Sequence, residues 1–178
     1  LEATGGFRTA GGTEGYTSYV RAATAGPQNA FDAVEGLMRA PFVQLAQDGP
    51  LPVDVPHRVL AWGVFHLPSQ VTLAPFLDAR SGFPYTAVDD GWVVAEAPGT
   101  HRMPWTASLD LSVTRVTRLP HGLPDARVGV KLYNIASTGT EREVQRDLAR
   151  ADFGTRYDPV PRDFSVVCEF LWGHRHGA

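Results

Sequence analysis

Fifteen residues constrain this chain more than any others: Pro104 to Arg118, PWTASLDLSVTRVTR. Trp105, Ala107, Leu109, Leu111 and Val113 are apolar, and Thr106, Ser108, Asp110, Ser112 and Thr114 between them are polar. A side-chain period of two places these sets on opposite faces of an extended strand, since successive Cβ atoms point to opposite sides of the pleat. The alternation outlasts an ordinary soluble strand of ~5–6 residues and matches the ~9–11 of a tilted strand that crosses a bilayer. Trp105 stands at one end of the apolar set, where membrane barrels carry interfacial aromatics.

The same period recurs. Strands are expected near residues 16–25, 57–67, 71–83, 104–118, 126–138 and 162–172, with long loops at 26–56, 87–103 and 139–160. Eighteen Gly and fourteen Pro favour turns and strands over long helices. In 71–83, Val71, Leu73, Leu77 and Ala79 alternate with Thr72, Phe76, Asp78 and Arg80, while Pro75 is expected at an edge or bulge. In 126–138, Val128, Val130 and Leu132 alternate with Arg127, Gly129, Lys131 and Tyr133; in 162–172, Phe164, Val166, Cys168, Phe170 and Trp172 share one face. Residues 57–67 are too uniformly apolar to assign a facing, and residues 1–15 read as loop or strand edge, with Phe7 to Glu14 a possible seventh strand. Thr140 and Glu143 have capping-box spacing, followed by Val144 and Leu148, which predicts a short helix in the last long loop; a helical turn is also expected within Phe31 to Met38. Short connections at Pro68 and Pro120 alternate with long ones, the loop asymmetry of outer-membrane barrels. The expected fold is therefore all-β: an antiparallel up-and-down meander of about six long strands, an open section of a transmembrane β-barrel.

Charge and motifs exclude several function classes. A formal charge of −3 without a basic stripe gives no electrostatic case for nucleic acid. One cysteine, Cys168, rules out an internal disulfide and a thiolate-rich zinc site. There is no HExxH, GxSxG, P-loop or GxGxxG, so no catalytic residue, cofactor site or metal site is assigned. His174 and His176 have ligand-like spacing without a third ligand, and Asp89, Asp90 and Asp152 supply too few oxygens for calcium. Charged residues on the polar faces, Asp78, Arg80, Asp110, Lys131 and Glu169, would line a barrel lumen. Trp105, Leu109, Leu111, Val113, Val128, Val130, Leu132 and Phe170 would face lipid.

Five stretches in order carry a family resemblance: Asp54 to Arg58 (DVPHR), Arg80 to Asp89 (RSGFPYTAVD), Arg102 to Arg115 (RMPWTASLDLSVTR), Gly129 to Ile135 (GVKLYNI) and Val144 to Phe164 (VQRDLARADFGTRYDPVPRDF). Together they resemble the C-terminal barrel section of a TonB-dependent outer-membrane receptor, in the branch with a carboxypeptidase-regulatory-like N-terminal domain. The family's barrels usually finish on an aromatic residue; Phe170 or Trp172 could fill that role, although six residues follow Trp172. The resemblance implies a plugged barrel of about 22 strands. Its partners would be outer-membrane lipid, the plug and remaining barrel of the same polypeptide, the TonB system and an extracellular ligand of unidentified kind. The chain would be part of a longer polypeptide, contributing wall and loops to energised uptake. A non-transporting structural or adhesive barrel and a soluble all-β binding module are the competing readings.

Overall fold

A computed structural model describes residues 1–27, 48–91, 93–120 and 123–172. The long strands are β1 (Glu2–Arg8), β2 (Glu14–Arg21), β5 (His57–Leu67), β6 (Val71–Arg80), β9 (Thr106–Thr117), β10 (Asp125–Thr138) and β13 (Asp163–Leu171). They form one antiparallel sheet in chain order, β1-β2-β5-β6-β9-β10-β13. The described residues also hold three two-stranded ribbons: β3 (Ala25–Pro27) with β4 (Asp48–Pro50), β7 (Pro84–Tyr85) with β8 (His101–Arg102), and β11 (Glu141–Val144) with β12 (Arg156–Pro159).

Connections alternate strictly in length. Residues 9–13, 68–70 and 118–124 make short turns at one end of the sheet, whereas 22–56, 81–105 and 139–162 make long excursions at the other. Each long excursion holds one ribbon, so the ribbons cluster at one end.

Register divides the sheet into two chemically distinct faces. One row runs Phe65, Leu73, Val113, Val130 and Val166 across five strands. The neighbouring row on the other face runs Ala74, Ser112, Lys131 and Ser165. Among the described residues no second sheet covers the apolar face, and no large side chain is fully buried. Trp105 is 52% exposed and Leu109 and Leu111 are half-buried, which differs from a sandwich that would enclose all three. The buried hydrophobic residues are few: Ala87, Val88 and Val144 lie in the loop layer, and Ala126 in β10.

Three expectations are corrected. The sheet has seven strands, because Glu2–Arg8 is extended and paired with β2; Gly5 and Gly6 interrupt the hydrophobic pattern that would have exposed it. The helix expected after Thr140 is absent. Glu141–Val144 pairs instead with Arg156–Pro159, so the backbone groups that a helix would satisfy locally are used across the ribbon, and Val144 is buried there. The described residues contain no α-helix, only a three-residue 3-10 turn at Pro68–Gln70. Pro75 sits in a central strand between β5 and β9, not at an edge; the β5–β6 pairing lapses from Gly63 to Val64, opposite it, where proline offers no N–H. The helical turn expected in Phe31 to Met38, and His174 and His176, lie outside the described residues.

One irregularity positions later chemistry. Between Leu132 and Ala136 the β9–β10 register shifts, and Asn134 takes a positive φ of 55°. The Asp110 carboxylate accepts its backbone N–H at 2.7 Å, pinning the bulge. Asn134 Nδ2 donates to the Val160 carbonyl at 2.8 Å and so ties β10 to the last long loop.

The register yields a direct test. Val128 lies opposite Cys168, and directly opposed Cβ atoms are ~4.5–5.5 Å apart. Val128→Cys should therefore cross-link to native Cys168 under mild oxidation, while Val130→Cys, one diagonal step away, should not. A non-reducing gel and peptide mass mapping check both.

Candidate functional site

A cavity of about 730 Å³ opens on the polar face where the sheet meets the loop layer. Its floor is β6 and β9, through Asp78, Arg80, Thr106, Ser108 and Asp110. Pro52 and Val53, then Phe83 to Tyr85 with Met103, supply loop walls. Tyr133 and Asn134 from β10 and residues 140–144 around β11 close the remainder. The volume lies within the ~300–1,000 Å³ of ordinary small-ligand sites.

An ion pair built on a buried carboxylate fixes the walls. Asp54 is 4% exposed, and its carboxylate accepts the Thr24 N–H at 2.7 Å, the Thr24 hydroxyl at 3.2 Å and Arg102 Nη2 at 2.6 Å. Arg102 Nη1 also donates to the Asp54 and Gly82 carbonyls, at 2.9 and 2.7 Å. One guanidinium thus joins the first and second long loops. Gly82 packs so closely that any Cβ would run into the Met103 carbonyl. Burial pushes the Asp54 carboxyl upward, but the Thr24 N–H, the Arg102 guanidinium and the Thr24 hydroxyl outweigh it and hold the pKa below the ordinary carboxylate value. The second and third loops are joined by backbone: Val88 N–H donates to the Arg146 carbonyl at 2.9 Å, and Leu148 N–H to the Val88 carbonyl at 2.9 Å.

Floor charges are unequally matched. Arg58 on β5 grips Asp78 through Nε at 3.1 Å and Nη2 at 2.9 Å. Arg80 lies directly opposite Arg58 in the ladder and stacks over the Phe83 ring, 5.0 Å from its centroid. On the rim, Glu141 pairs with Arg156 at 3.2 Å and Arg142 with Asp158 at 2.8 Å.

The structure places Asp78, Arg80, Asp110, Lys131 and Glu169 on one face, by register. Only Asp78, Arg80 and Asp110 reach the cavity. Glu169 instead pairs with Arg127 at 2.8 Å across β10–β13, and Lys131 projects from the middle of β10. Leu109, Leu111, Val113, Val128, Val130, Leu132 and Phe170 share the opposite face, and Trp105 immediately precedes β9. There Trp105 stacks on His57 with centroids 6.0 Å apart, and His57 stacks on Tyr19 at 6.0 Å and bonds its hydroxyl at 2.7 Å. On the polar face the row Gly6, Tyr16, Trp62, Phe76 and Asp110 includes a stacked Tyr16–Trp62 pair, centroids 4.4 Å apart.

Sequence reasoning missed the walls of the cavity and the Asp54–Arg102 pair. Both ion-pair partners fall within the stretches DVPHR and RMPW that carry the family resemblance, but nothing local in either stretch joins residues 48 positions apart. The described residues hold no group of three His, Cys, Asp or Glu suited to a metal. No helix among them is long and apolar enough to cross a membrane. Comparison with protein-family models, curated proteins and solved structures finds no match.

The Asp54 carboxyl titrates lower in the folded chain than its unfolded value of ~3.9, so its contribution is complete above that pH and fades as pH falls through the folded value. Amide exchange in residues 81–105, corrected for intrinsic rates, should stay level from about pH 8 to 5 and accelerate below about pH 4. Asp54→Asn should show the accelerated exchange at neutral pH, by about 1–3 kcal/mol of local opening, with the β9–β10 amides unchanged.

Proposed function

We propose that this chain forms part of the wall and extracellular loops of a TonB-dependent outer-membrane receptor, serving energised uptake of an extracellular ligand. The observation that carries the reading is the uncovered apolar face. In water a seven-stranded single layer with one greasy side lacks the second layer on which soluble domains depend. Hydrocarbon supplies that layer, while the polar face lines a hydrated lumen.

Three further features support it. Strands β9 and β10 run 12 and 14 residues, more than the ~9–11 that a tilted crossing needs. Short turns and long loops segregate to opposite ends. The Tyr19–His57–Trp105 row borders the apolar face at its loop end, at the level of an interfacial aromatic girdle. Outer edges of β1 and β13 remain unpaired among the described residues, and lipid tolerates no such edge, so further strands would complete the barrel. The plug and its TonB contact lie outside these strands on this reading.

Paired substitutions test the facing. Leu111→Arg places a charge on the apolar face near mid-strand, at a cost of ~2–4 kcal/mol at a bilayer midplane, while Ser112→Arg points to water. Heat-modifiable mobility and protease protection in outer membranes should fall sharply for Leu111→Arg alone. Equal assembly of the two variants contradicts the membrane reading.

A further inference from the structure

The geometry points to a carboxylate-binding site on the cavity floor, with Arg80 as the group that receives the carboxylate of a small organic acid or short peptide. This goes beyond the uptake reading, since it concerns the ligand's chemistry and holds for a barrel of any purpose.

The argument begins with two cations sharing one anion. Arg58 and Arg80 are cross-strand neighbours, and Asp78 is the nearest carboxylate on the same face. Arg58 takes both Asp78 oxygens in a fork-to-fork pair. Arg80 is left with the Phe83 ring as its partner, and no carboxylate among the described residues lies within ion-pair distance of it. A guanidinium against an aromatic face is held flat and keeps its N–H edge free for a planar bidentate acceptor. Half-buried at the floor of a cavity, it gains more from a carboxylate than a solvated surface arginine would.

The other cavity charges are already engaged or of the wrong sign. Asp110 is occupied by the Asn134 N–H, and Glu141 and Arg142 by Arg156 and Asp158. Arg146, which also lines the cavity, has an interaction of its own, and Glu143 adds a negative charge to the lining. A phosphate dianion would meet the fields of Asp110 and Glu143, whereas a monoanionic carboxylate is matched in shape and charge by the planar N–H edge of Arg80. Phe83, Tyr85, Met103, Tyr133 and Val53 then offer an apolar surround for the body of the ligand.

Fluorine NMR with 4-fluorobenzoate as probe tests this on the full-length protein in detergent. The acid should broaden on adding wild-type protein, and the uncharged 4-fluorobenzamide should not. Arg80→Gln should abolish the broadening, Arg80→Lys should weaken binding about tenfold through loss of the planar fork, and Arg115→Gln should bind as wild type. Retained broadening in Arg80→Lys guards against reading a misfolded Arg80→Gln protein as a positive result. Equal binding of acid and amide, undiminished binding by Arg80→Gln, or no binding of the acid overturns the proposal. Displacement of the probe by inorganic phosphate more readily than by acetate also overturns it, in favour of a phosphate ligand. None of these results depends on whether Leu111→Arg disturbs assembly, so this proposal and the receptor reading fail separately.

Discussion

The lateral ladder of seven strands satisfies the backbone and, by its fixed side-chain period, sorts the chain into a greasy side and a wet side. Among the described residues this sorting leaves the greasy side with no protein layer against it. In the row of Phe65, Leu73, Val113, Val130 and Val166 the first four are half-buried by their neighbours, and Val166 on the last strand remains 77% exposed. A one-residue slip would carry this row to the wet side and Lys131 to the greasy one, so the surroundings of each face enforce register as strongly as the hydrogen bonds do.

Rigid packing is confined to the loop end. Asp54, Ser81, Gly82, Pro84, Ala87, Val88, Asn134 and Val144 are the buried residues described there, and all but Asn134 lie in the long excursions. Three devices hold this layer: the Asp54–Arg102 pair between the first two loops, the Val88 backbone bonds to the third, and the Asn134 amide that reaches Val160 from the sheet. Of the three, only the Asp54–Arg102 pair carries charge. Its removal would leave the Thr24 N–H and the Arg102 guanidinium without their carboxylate, a loss of about 1–3 kcal/mol.

Much of the sheet was legible in the sequence, because a strand with one polar and one apolar face writes its facing into every second residue. Thr106 to Thr114 and Ala126 to Tyr133 are examples: period, facing and pairing order all follow from the alternation. Legibility failed where both neighbours are apolar, as in His57 to Leu67, whose polar side carries Leu60, Trp62 and Val64. It failed again at Glu2 to Arg8, where glycines dilute the pattern. The Thr140–Glu143 spacing suggested a helix start, yet the backbone there pairs with residues 15 or so positions ahead, and no local rule registers such a partner. The cavity was half legible: its charged floor lies on alternating strands, while its walls depend on contacts between loops.

This division also separates what holds the cavity from what it recognises. Asp78, Arg80 and Asp110 are fixed by pleat and register, and two of them are already committed, Asp78 to Arg58 and Asp110 to the Asn134 bulge. Arg80 alone is spare, and it is spare because Arg58, its cross-strand neighbour, won the shared carboxylate. Exchanging the loop residues Val53, Phe83, Tyr85 or Met103 would reshape the space around Arg80 without disturbing the ladder beneath it. A change of Arg58 would act differently, freeing Asp78 to neutralise Arg80 from below. The surplus charge at the floor is therefore a property of three residues on two strands, set before any loop is placed.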